Sequence, residues 1–231
     1  KDPVVKAFWE KEFAGYADKF ASEAVSPIQN KVGQFVGNPL IRNIVGQEKT
    51  SIDLRNVMDT RKILIVNLSK GKVGEGNANL IGSLLITKIY LAAMSRADVG
   101  PYELEKLPPF FMYVDEFQNF ATDSFANILS EARKYRLALI MAHQFIAQIG
   151  WSGAKKGDKP SIKDAVFGNA GTIMSFKVGA EDAEYLEKEY APMLSQQDII
   201  GIANFTTYCK LNIDNATTRP FDLKTIWRSE E

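Results

Sequence analysis

The sequence predicts an α/β protein with a mainly parallel sheet that is covered by helices on both faces. Short apolar runs rich in β-branched and aromatic residues alternate with longer segments of helical periodicity. Strands that alternate with helices pair in parallel through helical crossovers. Two of these runs are followed directly by acidic or amide side chains. Since ligands bind at the carboxyl ends of parallel strands, these side chains are the first candidates for a site.

The composition is that of an ordinary globular chain. It has 231 residues and is 45% hydrophobic, which is enough to bury a large core. Its 28 Lys and Arg residues balance 28 Asp and Glu residues, so any contact with nucleic acid must rely on local basic patches. The single cysteine, Cys209, excludes an internal disulfide and a cysteine-based zinc site. It suits a reducing compartment, and we therefore expect a cytoplasmic location.

Residues 1–46 are predicted to be a helical segment that precedes the α/β part at 47–231. Apolar side chains recur at three- and four-residue spacing over residues 3–24, which indicates an amphipathic helix. The charged start does not resemble a secretory signal, and we expect no stretch that spans a membrane. Because position 1 is not Met, we expect the chain to be a piece of a longer one.

The α/β part alternates between the two kinds of element. Residues 62–71, KILIVNLSKG, predict a buried strand because the run is apolar and rich in β-branched residues and is closed by polar residues and Gly71. Residues 77–96 are apolar nearly all round, as is typical of a helix packed on a sheet. By the same patterns, strands are predicted at 110–115, 137–143, 171–176 and 206–213, and helices at 123–135 and 180–189.

Asp115 and Glu116 follow the apolar run FFMYV. At the end of a buried strand, an aspartate can hold hydrated Mg²⁺, and a glutamate can polarise an attacking water. That division of labour suits nucleotide hydrolysis. The alternative is that two acids simply end a strand, and this pattern taken alone leaves both interpretations open.

The next predicted strand ends at His143 and Gln144. A neutral amide beside a γ-phosphate can orient water without adding charge, so Gln144 is a second candidate at the same crevice. His143 is the only histidine and has no second His or Cys near it, so we expect a packed residue rather than a metal ligand. Arg133 lies between the two strands. Spacing alone favours a solvated helix end over an arginine finger.

The long loop at 150–169 carries the candidate DNA contacts Lys155, Lys156 and Lys159 next to Trp151. Basic residues beside an aromatic side chain in a loop can follow a phosphate backbone. An ordinary solvated surface loop is the alternative, and it is favoured by the general behaviour of loops.

The ordered set KILIVNLSKG, FFMYVDEFQNF and EARKYRLALIMAHQ resembles the C-terminal part of the motor domain of type IV secretion coupling proteins of the TraG/TraD kind. These belong to the HerA/FtsK branch of P-loop ATPases, and the resemblance spans most of the chain. It implies a RecA-like sheet. It also implies that Asp115 and Glu116 form the Walker B motif, that Gln144 senses the γ-phosphate, and that Arg133 acts on a neighbouring subunit.

The same resemblance implies cofactors and partners. ATP and Mg²⁺ would bind between the subunits of a homo-hexamer. DNA would be the transported substrate, and relaxosome or secretion-channel proteins would be partners. The full-length protein would work at the cytoplasmic face of the inner membrane, whereas a fragment could be monomeric.

The sequence departs from the family in one motif. A P-loop ATPase needs GxxxxGK[ST], and these 231 residues do not contain it. The nearest stretch, SKGKVGEGNANLIG at 69–82, lacks GK[ST] and places Glu75 where phosphate would lie. We expect the P-loop and its strand to lie upstream of Lys1, so that the sheet is incomplete and this portion alone is inactive.

Two alternatives remain open. Within the same superfamily, the chain could belong to a type IV secretion ATPase that moves protein, or to a HerA-like DNA-processing enzyme. From a different class, it could be a non-catalytic docking module that keeps the ATPase fold without the P-loop.

Overall fold

The computed structural model describes residues 2–16, 18–121, 123–149 and 162–226. The chain divides into two compact units. One unit combines Lys1–Asp53 with Val66–Ile81, and the other combines Leu54–Ile65 with Gly82–Glu231. The candidate site residues at 115, 116, 133 and 144 all belong to the second unit.

Helices dominate the first unit. The predicted helix over residues 3–24 is divided by a π-helical turn and a 3₁₀ turn, and a second helix then continues through Pro27. Asp2 and Asn38 cap two of these helices, since their side chains accept hydrogen bonds from the backbone N–H groups of the first turn. The helices of the chain's first part are α1 Pro3–Ala7, α2 Asp18–Val36, α3 Pro39–Val45, α4 Leu54–Asp59 and α5 Lys70–Val73.

The later helices belong wholly or in part to the second unit, which also contains the strands. Their bounds are α6 Glu75–Met94, α7 Pro101–Lys106, α8 Asp123–Glu131, α9 Ile162–Asn169, α10 Ala180–Tyr190 and α11 Gln196–Gly201. The helix predicted at 123–135 ends earlier than expected, because Ala132–Tyr135 forms a 3₁₀ turn.

The strands of the described residues form three separate small sheets. They are β1 Phe110–Val114, β2 Leu137–Met141, β3 Ile173–Ser175, β4 Thr206–Lys210, β5 Asn212–Ile213, β6 Ala216–Thr217 and β7 Phe221–Lys224. β1 and β2 pair in parallel, with Phe110 opposite Leu137 and Val114 opposite Met141. β3, β4 and β7 form an antiparallel sheet in that order, and β5 pairs with β6 in a hairpin.

The mixed α/β class predicted from the sequence is confirmed, but the single mainly parallel sheet is not what the described residues show. Among the described residues, only β1 and β2 pair in parallel, and the other strand pairs are antiparallel. Strand positions follow from local apolar patterns, whereas their direction and partners depend on contacts between distant residues. Sequence patterning could therefore locate the strands without fixing how they pair.

The strand predicted at 62–71 is wrong. Residues 62–69 have no regular secondary structure and belong to no strand pair, and Lys70 begins α5. Ile63 and Ile65 are 89% and 87% exposed, although the run is rich in β-branched residues. A local preference for extended backbone does not supply the neighbouring strand edge that a sheet requires.

The hydrophobic core of the second unit lies against one face of the β1–β2 pair. Met112 and Val114 of β1 are buried with Phe117, Phe125 and other side chains of this core. On the other face Phe111 and Tyr113 are 55% and 75% exposed. Parallel sheets are usually covered on both faces, and the sequence predicted helices on both. Among the described residues, the β1–β2 pair is covered on one face only.

Among the residues that the structure describes, one helix is long and apolar enough to cross a membrane, by length and composition only. It comprises Glu75–Asp98, has a mean hydropathy of 1.4 and has 28% of its apolar window buried. A mostly buried core helix of a soluble protein passes the same test. Here Ile86, Ile89 and Ala93 of α6 are buried in the core of the second unit, but most of the window is not buried.

A buried arginine connects three parts of the second unit. Arg96 is 0% exposed, and its Nε donates to Asp59 Oδ1 at 3.0 Å while its Nη2 lies 2.9 Å from the same oxygen. Its Nη1 donates to the carbonyl oxygens of Tyr135 and Arg136 at 3.0 and 3.4 Å. Arg55 also pairs with Asp59 and lies 3.2 Å from Asp98. Arg96 therefore ties α4 to the turn that leads into β2.

We expect Arg96→Leu to lower the free energy of unfolding by about 3 kcal/mol, because it removes a buried partner of a carboxylate and of two carbonyls. The matched change Arg55→Leu should cost about 1 kcal/mol or less, since Arg55 lies on the partly exposed side of the same carboxylate. Urea unfolding of both variants measures the difference, and equal losses would contradict a central role for Arg96.

We expect Ile65→Lys to change the free energy of unfolding by no more than about 0.5 kcal/mol, because the side chain is already in solvent. Ile89→Lys is the contrasting variant. Ile89 is 6% exposed in the core, and an unpaired charge there should cost about 4 kcal/mol or more. A large loss of stability in Ile65→Lys would instead indicate that Ile65 is buried, as the predicted strand requires.

Candidate functional site

A sharp turn follows β1 and carries the two acids. Glu116 has φ 49° and ψ 44°, the left-handed conformation that few residues other than glycine adopt. Its N–H donates to Asp115 Oδ1 at 3.0 Å, and its carbonyl accepts from Asn119 Nδ2 at 3.0 Å. Phe117 next to it is fully buried, and its N–H donates to the carbonyl of Ala142 at 3.1 Å. Hydrogen bonds and a buried aromatic side chain therefore fix the turn.

The structure brings Glu116 and Gln144 into direct contact. Gln144 Nε2 donates to Glu116 Oε1 at 2.5 Å, and Gln118 Nε2 donates to Glu116 Oε2 at 2.5 Å. The contact follows from the parallel register, since Val114 lies opposite Met141 and the two polar residues come shortly after these positions. Each oxygen of the Glu116 carboxylate thus accepts from a neutral amide, an arrangement that holds the carboxylate in one orientation.

Asp115 is exposed, and its Oδ1 accepts the N–H of Glu116. Mg²⁺ in nucleotide sites takes one or two carboxylates and fills its remaining positions with phosphate oxygens and water. Within the described ranges no three His, Cys, Asp or Glu side chains are grouped to hold a metal without such help. Asp115 therefore fits a magnesium ion that arrives with a nucleotide, and it does not fit a metal held by protein ligands alone.

Arg133 is exposed in the turn Ala132–Tyr135. Its Nη2 donates to Asn215 Oδ1 at 3.2 Å. Asn215 follows Asp214 in the β5–β6 hairpin, and both have positive φ, of 49° for Asp214 and 62° for Asn215. The structure thus directs Arg133 to this hairpin rather than to Glu116 and Gln144. Sequence reasoning missed the contact, because 82 positions separate the two residues.

The three lysines predicted to contact DNA, Lys155, Lys156 and Lys159, lie outside the described residues. Lys163, at the start of α9, is described, and its Nζ lies 4.5 Å from the centre of the Tyr185 ring. This is a cation–π contact within the second unit.

A cavity of about 440 Å³ adjoins the Glu116–Gln144 pair. It is lined by residues 143–146 after β2, residues 173–179 around β3, Phe167, and Asp182 and Leu186 of α10. Asp182 is 7% exposed, and its two oxygens accept from the N–H of Ile146 at 3.2 and 3.3 Å. Sequence reasoning missed Asp182, since an acid in the first turn of a helix is expected to complement the helix dipole.

His143 lies at one side of this cavity and packs edge to face against Phe117, with 5.5 Å between ring centres. Burial lowers the pKa of His143 below its usual 6.5. A backbone hydrogen bond at Phe145 and the negative charges of Asp182 and Glu116 oppose that shift without reversing it. The imidazole is therefore neutral at pH 7, as expected for a packed residue.

Comparison with known proteins does not assign the chain to a family. No protein-family model matches it, and no curated protein does either.

We expect the single histidine to report directly on this region. His143 should titrate below 6.5 in the folded chain and near 6.5 in urea, because burial disfavours the charged imidazole. The unfolded chain then binds the proton more readily, so the contribution of His143 to stability is present above pH 6.5. It is lost as the pH falls through the lower folded value. The imidazole proton resonance followed by NMR against pH measures both values.

Glu116→Gln should lower the folded pKa of His143 further, because it removes a charge that favours the imidazolium. Glu103→Gln changes an exposed glutamate of α7 and serves as the control. An unchanged titration in Glu116→Gln would show that the two groups do not interact as the geometry indicates.

Proposed function

We propose that this chain is part of the motor domain of an ATP-driven DNA translocase, most similar to conjugative coupling proteins of type IV secretion. The observation that carries the proposal is the hydrogen bond between Glu116 and Gln144 at the carboxyl ends of two parallel strands. Nucleotide hydrolysis needs a carboxylate to activate water and a neutral group to sense phosphate at such an edge.

The proposed role of Glu116 is to accept a proton from the attacking water. Its two oxygens accept from the amides of Gln118 and Gln144, and a carboxylate has about four acceptor positions, so it can still accept a hydrogen bond from water. When the nucleotide binds, the NH₂ group of Gln144 could pass from Glu116 to a phosphate oxygen. Catalytic hydrogen bonds often form fully only when the substrate is bound, so the ligand-free arrangement is compatible with this role.

The proposed role of Asp115 is to hold magnesium through water. Its side chain is exposed and has one oxygen engaged by the turn, which leaves acceptor positions for hydrogen bonds from water ligands. When bound, Mg²⁺-ATP would supply the reacting phosphate and a cation that offsets its charge. Asp115 then positions the nucleotide, and Glu116 acts on the water.

The proposed role of Arg133 is to contribute a positive charge to the nucleotide site of a neighbouring subunit. Its exposure and its single hydrogen bond to the hairpin residue Asn215 support a guanidinium that is held at the surface. An arginine in that position can neutralise phosphate charge across a subunit interface. The proposal includes a RecA-like fold, a homo-hexamer, DNA as the transported substrate, relaxosome or channel proteins as partners, and work at the cytoplasmic face of a membrane.

A non-catalytic docking module is the second candidate, and one stretch favours it. Residues 69–82 contain no GK[ST] and form the short helix α5, Gly74 with φ 81°, and the start of α6. Within that stretch Lys70 Nζ pairs with Glu75 Oε1 at 3.0 Å. Lys70 is thus engaged with a carboxylate and is not presented to a phosphate, whereas Lys72, the other lysine of the stretch, is exposed.

The test is Mg²⁺-ATP hydrolysis by the longest chain that contains this segment, with and without DNA. Glu116→Gln should abolish DNA-stimulated turnover while nucleotide binding survives, because the amide keeps the shape of the side chain but accepts no proton. Gln144→Ala should lower turnover by about 10²-fold or more, as expected when a charge-stabilising or positioning amide is lost.

Glu103→Gln is the matched control, since it removes an exposed carboxylate whose partner is Lys106. It should leave turnover unchanged. Two results together would exclude the motor and favour the docking module. They are that the long chain binds no nucleotide and that Glu116→Gln leaves its turnover unchanged.

A further inference from the structure

The cavity beside Gln144 contains a buried carboxylate that the proposed hydrolysis does not use. Asp182 is 7% exposed, and its only hydrogen-bond donor within the described part of the chain is the N–H of Ile146. No lysine, arginine or histidine of that part forms an ion pair with it at salt-bridge distance. A carboxylate has about four acceptor positions, and buried carboxylates are normally paired. Asp182 can therefore still accept from a ligand.

The other residues that line the cavity indicate which further groups such a ligand would carry. Phe145, Phe167 and Phe176 supply aromatic surface, and Phe145 and Phe176 are 53% and 51% exposed. Lys177 is also at the cavity, is exposed, and has no ion-pair partner among the residues that the structure describes. A ligand that fits all three features has a donor group at one end, a flat apolar body and an anionic end.

Gln144 connects this cavity to the proposed hydrolytic site. Gln144 is one of the residues that line the cavity, and its side chain donates to Glu116 Oε1. A molecule that fills the cavity and extends past Gln144 therefore reaches Glu116 and Asp115. The volume of about 440 Å³ lies within the usual range of small-molecule sites.

We propose that the cavity binds the adenine base of the nucleotide and that Asp182 accepts a hydrogen bond from the exocyclic amine of that base. This inference rests on the proposed nucleotide-dependent function and names the residue that recognises the base. Adenine suits Asp182 better than guanine, because both Asp182 oxygens already accept from Ile146 and one further donor is easier to place than two. The phosphates then lie toward Lys177 and Gln144.

Asp182 also fixes the turn after β2, so the test variant must keep that bond. Asp182→Asn keeps one carbonyl oxygen to accept from Ile146, but it removes the charge and adds a donor. Asp222→Asn changes an exposed aspartate of β7 and is the control. Urea unfolding of both variants checks that neither has lost the fold.

The experiment is calorimetric titration of the 231-residue chain with adenosine, with purine riboside, which lacks the amine, and with 2′-deoxyadenosine. Adenosine has no phosphates, so its binding does not depend on Glu116, Asp115 or magnesium. We expect Asp182→Asn to weaken adenosine binding by about tenfold or more, as for a hydrogen bond to a charged group. Purine riboside should bind the unaltered chain as weakly as adenosine binds Asp182→Asn, and 2′-deoxyadenosine should bind like adenosine.

Three results would overturn the inference. The first is an unaltered, folded chain that binds no adenosine at millimolar concentration. The second is equal affinity for adenosine and purine riboside. The third is a loss of affinity with 2′-deoxyadenosine alone, which would assign Asp182 to the ribose. Hydrolysis by the Glu116 variants is a separate measurement, so failure of the base site and failure of the motor are distinguishable.

Discussion

The buried guanidinium of Arg96 is the constraint on which the site region depends. It pairs with Asp59 of α4 and donates to the carbonyls of Tyr135 and Arg136, which come directly before β2. The Arg136 carbonyl also accepts from the N–H of Phe110, the first residue of β1, at 2.8 Å. One buried cation thus holds the starting points of both parallel strands, in the interior where electrostatic interactions are strong.

The register set at that end of the strands decides which side chains meet at the other end. With Phe110 opposite Leu137, Val114 lies opposite Met141, and Glu116 then reaches Gln144. A shift of one residue would turn the buried side chains of a strand to its opposite face, so the buried Met112 and Val114 oppose any such slip. Core packing and the Arg96 network therefore support the same arrangement of the polar pair.

Gln144 connects two chemically different regions. On one side the left-handed turn at Glu116 presents carboxylates near solvent. On the other side the cavity combines aromatic surface with the buried carboxylate of Asp182. A nucleotide has the same division, since its base is flat and donates hydrogen bonds while its phosphates are charged. This complementarity links the two proposals through one side chain.

The sequence by itself determined the α/β class, the approximate positions of most strands and helices, and the polar residues at the ends of β1 and β2. Those features depend on local apolar periodicity and on residue type. Tertiary structure decided that residues 62–69 stay unpaired, that most strand pairs are antiparallel, that Arg133 contacts Asn215, and that Asp182 faces a cavity. Each depends on contacts between distant parts of the chain, whose choice no local pattern encodes.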